Sequence, residues 1–144
     1  MKHIFLTMVM MIVATAASAQ KGLNVDNIFD GRYRDNKGAV ETIIRGEAIR
    51  KYDLSTYHSL TLADMPDAAD YIESLIRKDE ADALTREVNY RDGKLYYGFY
   101  RLKNRNGLRR YLFYLNQHLN KGNKIMVIYL DGNATTEYVK KMLK

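Results

Sequence analysis

Residues 90–115, Tyr-Arg-Asp-Gly-Lys-Leu-Tyr-Tyr-Gly-Phe-Tyr-Arg-Leu-Lys-Asn-Arg-Asn-Gly-Leu-Arg-Arg-Tyr-Leu-Phe-Tyr-Leu, decide the fold. Asp92-Gly93 stands between two runs rich in aromatic and apolar residues. Both central positions of a type I′ turn need positive φ, which Asp-Gly supplies, so the runs form a β-hairpin. That turn pairs Tyr90 with Leu95 and Val88 with Tyr97, and puts all four on one face. For the next turn, a three-residue loop Arg105-Asn106-Gly107, with Gly107 left-handed, aligns Phe99 with Phe113 and Tyr97 with Leu115. A two- or four-residue loop would instead send Phe113 and Leu115 to the face opposite Phe99, because one residue of slip inverts a strand.

Working outward, four strands follow one another: about Leu84–Arg91, Lys94–Lys103, Leu108–Leu119 and Lys124–Leu130. The last turn, around Lys121-Gly122, brings Met126, Ile128 and Leu130 onto the face of Phe99 and Phe113, which is read as the core face. Upstream, Ala39–Lys51 is rich in Val, Ile and Thr, and Tyr57–Leu62 alternates, so these make a second hairpin turning near Asp53–Ser55. Between the hairpins, Asp64 is expected to cap a helix with Pro66 in its first turn, ending near Ala81. Its buried stripe is Ala68, Ile72, Leu75 and Ile76. Asn133 is expected to cap a final helix carrying Val139, Met142 and Leu143. Leu23, Val25, Ile28 and Phe29 mark a short helix or extended arm. The sum is an α+β domain: an antiparallel sheet of about six strands, two N-terminal and four C-terminal, with two packed helices.

At the N-terminus, Lys2 and His3, an apolar run Ile4–Val13 and Ala17-Ser18-Ala19 before Gln20 have the form of a secretory signal peptide with an A-x-A cleavage site. The run is too short to span a bilayer, and no lipobox cysteine follows it. The expectation is export, to the periplasm or beyond, of one domain over residues 20–144 with no transmembrane segment. Removing residues 1–19 leaves 125 residues, and 22 basic against 17 acidic side chains give a net charge of +5. That density is too low for a dedicated nucleic-acid binder. With no cysteine, the core must hold the domain without disulfides.

Of twelve tyrosines, seven lie between Tyr90 and Tyr129. In the register above, the side of the sheet left over carries Tyr96, Gly98, Tyr100, Leu112, Tyr114, Val127 and Tyr129. An outer face is normally polar, and an aromatic one has two readings. In one, the arm, the first hairpin or a helix covers it; in the other, Tyr96, Tyr100, Tyr114 and Tyr129 are a binding platform. Arg101, Arg105, Arg109 and Arg110, near the same hairpin tip, offer bidentate forks to an anionic partner. They also keep a hairpin tip soluble.

No grouping points to catalysis or to a metal. His58 and His118 lack ligand spacing, and His58 and Ser59, adjacent on a strand, face opposite sides, so no Ser-His-acid triad is implied. Asn133-Ala134-Thr135 matches a glycosylation sequon but sits where a helix cap is expected. No cofactor is implied.

The Ala-Ser-Ala before Gln20, the strand running into Leu130-Asp131-Gly132-Asn133 and the closing helix to Leu143 resemble the small exported α+β domains of unknown function common in Bacteroidetes. The resemblance implies envelope export and transfers no catalytic residue. The reading is an exported, non-catalytic binding domain of the cell envelope, with an envelope protein or an anionic glycan as partner. The alternatives are a small hydrolase of envelope or host glycans, and a structural homodimer subunit.

Overall fold

The computed structural model describes residues 22–143; the segment read as a signal peptide lies outside them. The order of elements is β1 (Ala39–Arg45), α1 (Glu47–Arg50), β2 (Leu54–Ala63), α2 (Pro66–Asp79), β3 (Ala83–Arg91), β4 (Lys94–Arg105), β5 (Leu108–His118), β6 (Asn123–Gly132) and α3 (Thr136–Met142), preceded by a 3₁₀ turn over Asn24–Ile28. Six antiparallel strands lie in the order β1-β2-β6-β5-β4-β3, so the α+β reading stands. The chain leaves β2, crosses the sheet through α2 to its far edge, and meanders back until β6 pairs with β2.

Asp92 and Gly93 have φ of 52° and 77°, and Tyr90 faces Leu95 as the turn requires. Val88, however, lies opposite Gly98 and not Tyr97, because Tyr96 is an extra residue in β4. That bulge swings Leu95 onto the face of Tyr100. The pairs Phe99–Phe113 and Tyr97–Leu115 form as expected. The extra residue sits elsewhere: Arg105 faces Leu108 across a two-residue turn, Asn106 (φ 53°) and Gly107 (φ 78°), and the bulge falls between Leu102 and Arg105. A type I′ turn plus an in-strand bulge gives the same downstream register as the expected three-residue loop.

Three boundaries differ from expectation. The first strand stops at Arg45, where Gly46 (φ 73°) breaks it and one turn of helix, α1, fills the connection. Asp64 does not cap α2: it takes φ 58° and gives its N–H to the Asn123 carbonyl, so Met65 holds the cap position and Pro66 begins the helix. Thr135, not Asn133, caps α3, its Oγ1 accepting the Tyr138 N–H at 3.3 Å. Asn133 is held back by its own backbone, whose N–H donates to the Asp53 carbonyl and whose C=O accepts from Arg109.

The two faces are not equally covered. α2 and the arm over Leu23–Phe29 lie on one, where Ile72, Leu75, Ile76, Leu23, Val25, Ile28 and Phe29 bury Leu60, Leu62, Tyr100, Leu112, Tyr114, Val127 and Tyr129. Only α1 and the seven-residue α3 lie on the other, over Phe99, Tyr111, Phe113, Ile128 and Leu130. The face read as left over is therefore the larger core. Each of its buried rings contributes roughly 1.5–3 kcal/mol through area removed from water.

Candidate functional site

Three of the four platform tyrosines are interior. Tyr100 is 1% exposed, and Tyr114 and Tyr129 are fully buried. Burial drives all three phenols well above their ordinary pKa, with Asp131 adding to the effect at Tyr129. Tyr96 is separated from them by its bulge; it is half-buried, with the Arg91 guanidinium 3.5 Å from its ring centroid. Tyr100, Tyr114 and Tyr129 therefore form no open platform, because α2 and the arm cover them, and Tyr96 stands apart from them.

The four arginines are not one patch, because neighbours on a strand point to opposite faces. Arg110 is buried, and its Nε donates to the Tyr129 hydroxyl at 3.2 Å. Arg109 holds the Asn133 carbonyl from the other face. Arg101 is half-buried, and its Nε finds no hydrogen-bond acceptor. Arg105 is exposed at the turn, close to Gly22.

What the fold does bring together is a polar row. Arg45, Thr56, Asp131 and Arg110 are direct cross-strand partners from β1 to β5 at one end of the α2 face. The next row holds His58 beside Tyr129, whose hydroxyl donates to Asp131 Oδ2 at 2.9 Å. Burial raises the Asp131 pKa, while hydrogen bonds from Tyr129 and Thr56 and the charges of Arg110 and Arg45 pull it down; burial prevails. His58 is fully buried under Phe29, ring centroids 4.0 Å apart, with Nε2 2.5 Å from Glu41 Oε2. Glu41 also accepts the backbone N–H groups of Asp30 and Gly31, each at 2.9 Å. Burial alone would raise the Glu41 pKa, but the bonds from His58, Gly31 and Asp30 outweigh it and hold the carboxyl below its ordinary value. With both oxygens engaged, Glu41 acts as a tether of the arm. Ser59 lies opposite Ile128 on the other face from His58, as the alternation of a strand requires.

A second row crosses the opposite face. Val40, Thr61, Met126, Leu115 and Tyr97 are consecutive cross-strand partners from β1 to β4. Val40 is 42% exposed and the other four are half-buried. α3 reaches only the adjoining part of this face: Val139 packs with Phe99 and Phe113, and the Lys140 ammonium stands 5.9 Å from the Phe99 ring while it pairs with Glu87. Sequence reasoning assigned Tyr97, Leu115 and Met126 to the core face. Nothing local signals that the closing helix is too short to cover them. Likewise, Glu41 lies 17 residues from His58, and only the hairpin register makes them neighbours.

A shallow cleft of about 330 Å³ at the β1–β2 connection is lined by Gly46, Arg50, Asp53, Leu54, Ser55 and Asn133. Among the described residues no group of three or more His, Asp or Glu side chains is arranged to hold a metal ion, and no helix is long and apolar enough to cross a membrane. No curated protein and no solved structure matches the chain. A family model matches residues 12–143, and on that match the chain belongs to the family of unknown function designated DUF6108.

Proposed function

We propose that this protein is an exported, non-catalytic binding domain of the cell envelope, and that it meets a partner protein through the row Val40, Thr61, Met126, Leu115 and Tyr97. One observation carries the reading: four of these five side chains are apolar or aromatic, they run unbroken across five strands, and each is left at least partly open to solvent. The outer side of an antiparallel sheet is ordinarily polar, and a contiguous apolar strip on it is the signature of a contact surface. Tyr97 and Met126 are residue types enriched where proteins meet.

The test is capture from the envelope of the native host with the wild type, a Leu115→Glu/Met126→Glu variant, and a control, Leu84→Glu, at an exposed position on the far edge strand. The proposal expects a protein held by wild type and control and lost by the double variant, whose circular dichroism is unchanged. A partner held equally by all three would reject this surface.

A further inference from the structure

We propose that the groove between α2 and the β1–β2 edge is a peptide-binding site, filled here by the chain's own residues Leu23–Gly31, and that it takes an acidic, apolar segment of a partner protein when this arm lifts. The inference does not depend on the contact row of the opposite face.

The groove grips main chain. Asp79 accepts the backbone N–H groups of Asn24 at 2.6 Å and Val25 at 2.9 Å, and the Asn24 side-chain amide at 2.9 Å. Glu41 accepts the N–H groups of Asp30 and Gly31 at the other end. Asp79 is 2% exposed and is the last residue of α2, where the helix dipole disfavours an anion. Among the described residues every hydrogen bond to Asp79 comes from the arm. A buried carboxylate so placed is costly unless something donates to it, and its donors are peptide groups that any chain carries.

Side-chain selectivity lies between the two grips. Leu23, Val25, Ile28 and Phe29 are all buried, Phe29 on the His58 ring. Asp30 lies within electrostatic reach of His58 and Arg45, and Asp26 stands beside it. An incoming segment with an acid at the position of Asp30 keeps the attraction of that site to His58 and Arg45. The pattern sought is apolar-x-apolar-acid-x-apolar-aromatic-acid, as in Leu23–Asp30. The arm joins the sheet only through residues 32–38, where five of seven are exposed, so it can leave without breaking a strand pair.

The experiment uses a fluorescent peptide with the sequence of Leu23–Gly31, added to the full chain and to a full-chain Ile28→Ser/Phe29→Ala variant whose own arm is weakened while the groove is intact. The peptide should bind the variant at least about tenfold tighter than the wild type, because the wild-type arm competes at high local concentration. Asp79→Asn in the variant should abolish the gain, and a peptide with both acids changed to Asn should bind several-fold more weakly. Hydrogen exchange of the wild type is the second measurement: the amides of Asn24, Val25, Asp30 and Gly31 should exchange at least about tenfold faster than those of Val127 and Tyr129. A peptide that binds neither protein although the variant's arm exchanges fast overturns the proposal. Arm amides that exchange only with the whole sheet overturn it as well, whether or not the variant folds.

Discussion

Gly98 shows how tightly the tyrosine face is built. A Cβ at that position would come within 2.7 Å of Tyr100 Cε2 and 2.8 Å of its hydroxyl, so the Tyr100 ring lies folded over the glycine. Gly98→Ala must displace a ring that is 1% exposed, and we expect a loss of about 1–3 kcal/mol in urea unfolding, the usual range for overpacking. The buried phenols make a second prediction. In an alkaline titration followed at the tyrosinate absorption band, Tyr100, Tyr114 and Tyr129 should stay protonated at about pH 11, beyond the ordinary phenol pKa of about 10; full ionisation of all twelve tyrosines in the folded protein would contradict their burial. At Glu41 the folded-state pKa lies below the ordinary 4.5. Its contribution is therefore complete above pH 4.5 and is lost as the pH falls below that value. Glu41→Gln should cost about 1.5–3 kcal/mol at pH 7, the range for hydrogen bonds to a charged group, and should flatten the acid limb of the stability profile. An unchanged acid limb would remove Glu41 from the account.

At the scale of elements, the start of α3 separates expectation from structure in a single comparison. Thr135→Ala should cost about 1 kcal/mol, the usual value of a lost cap, while Asn133→Ala should cost almost nothing, since the contacts of Asn133 are made by its backbone. The reverse order would restore the cap read from the sequence. The hairpins explain what was legible. Asp92-Gly93 and Asn106-Gly107 announce themselves because few residue pairs accept two successive positive φ angles, and the downstream register follows from which side chains must share a face. The bulges at Tyr96 and between Leu102 and Arg105 carry no comparable signal. A bulge accommodates ordinary side chains, and the one at Tyr96 is matched by packing that forms later, with Leu95 on the α2 face. Asp64 misled because its residue type suits both a helix cap and a left-handed turn, and only the bond to Asn123 selects the turn.

For the whole molecule, six strands, the pairing within each hairpin and the helix over Ile72–Ile76 were readable because periodicity and turn chemistry are local, whereas the junction of β2 with β6 was not. Which face became the larger core was not, because that depends on where an N-terminal arm and two helices of unequal length come to rest. Both faces carry apolar residues, and alternation within a strand does not rank them. The same asymmetry creates the proposed contact row: a 14-residue helix and an arm share one face, and a seven-residue helix leaves part of the other open. The most direct test is the unfolding free energy of Leu115→Glu/Met126→Glu beside that of Leu112→Glu. The account predicts the double variant folded and within about 2 kcal/mol of wild type, as for surface changes, and Leu112→Glu losing more than about 4 kcal/mol, as for a charge placed in a core. If the double variant unfolds as Leu112→Glu does, the row is interior and cannot be the surface through which this domain binds.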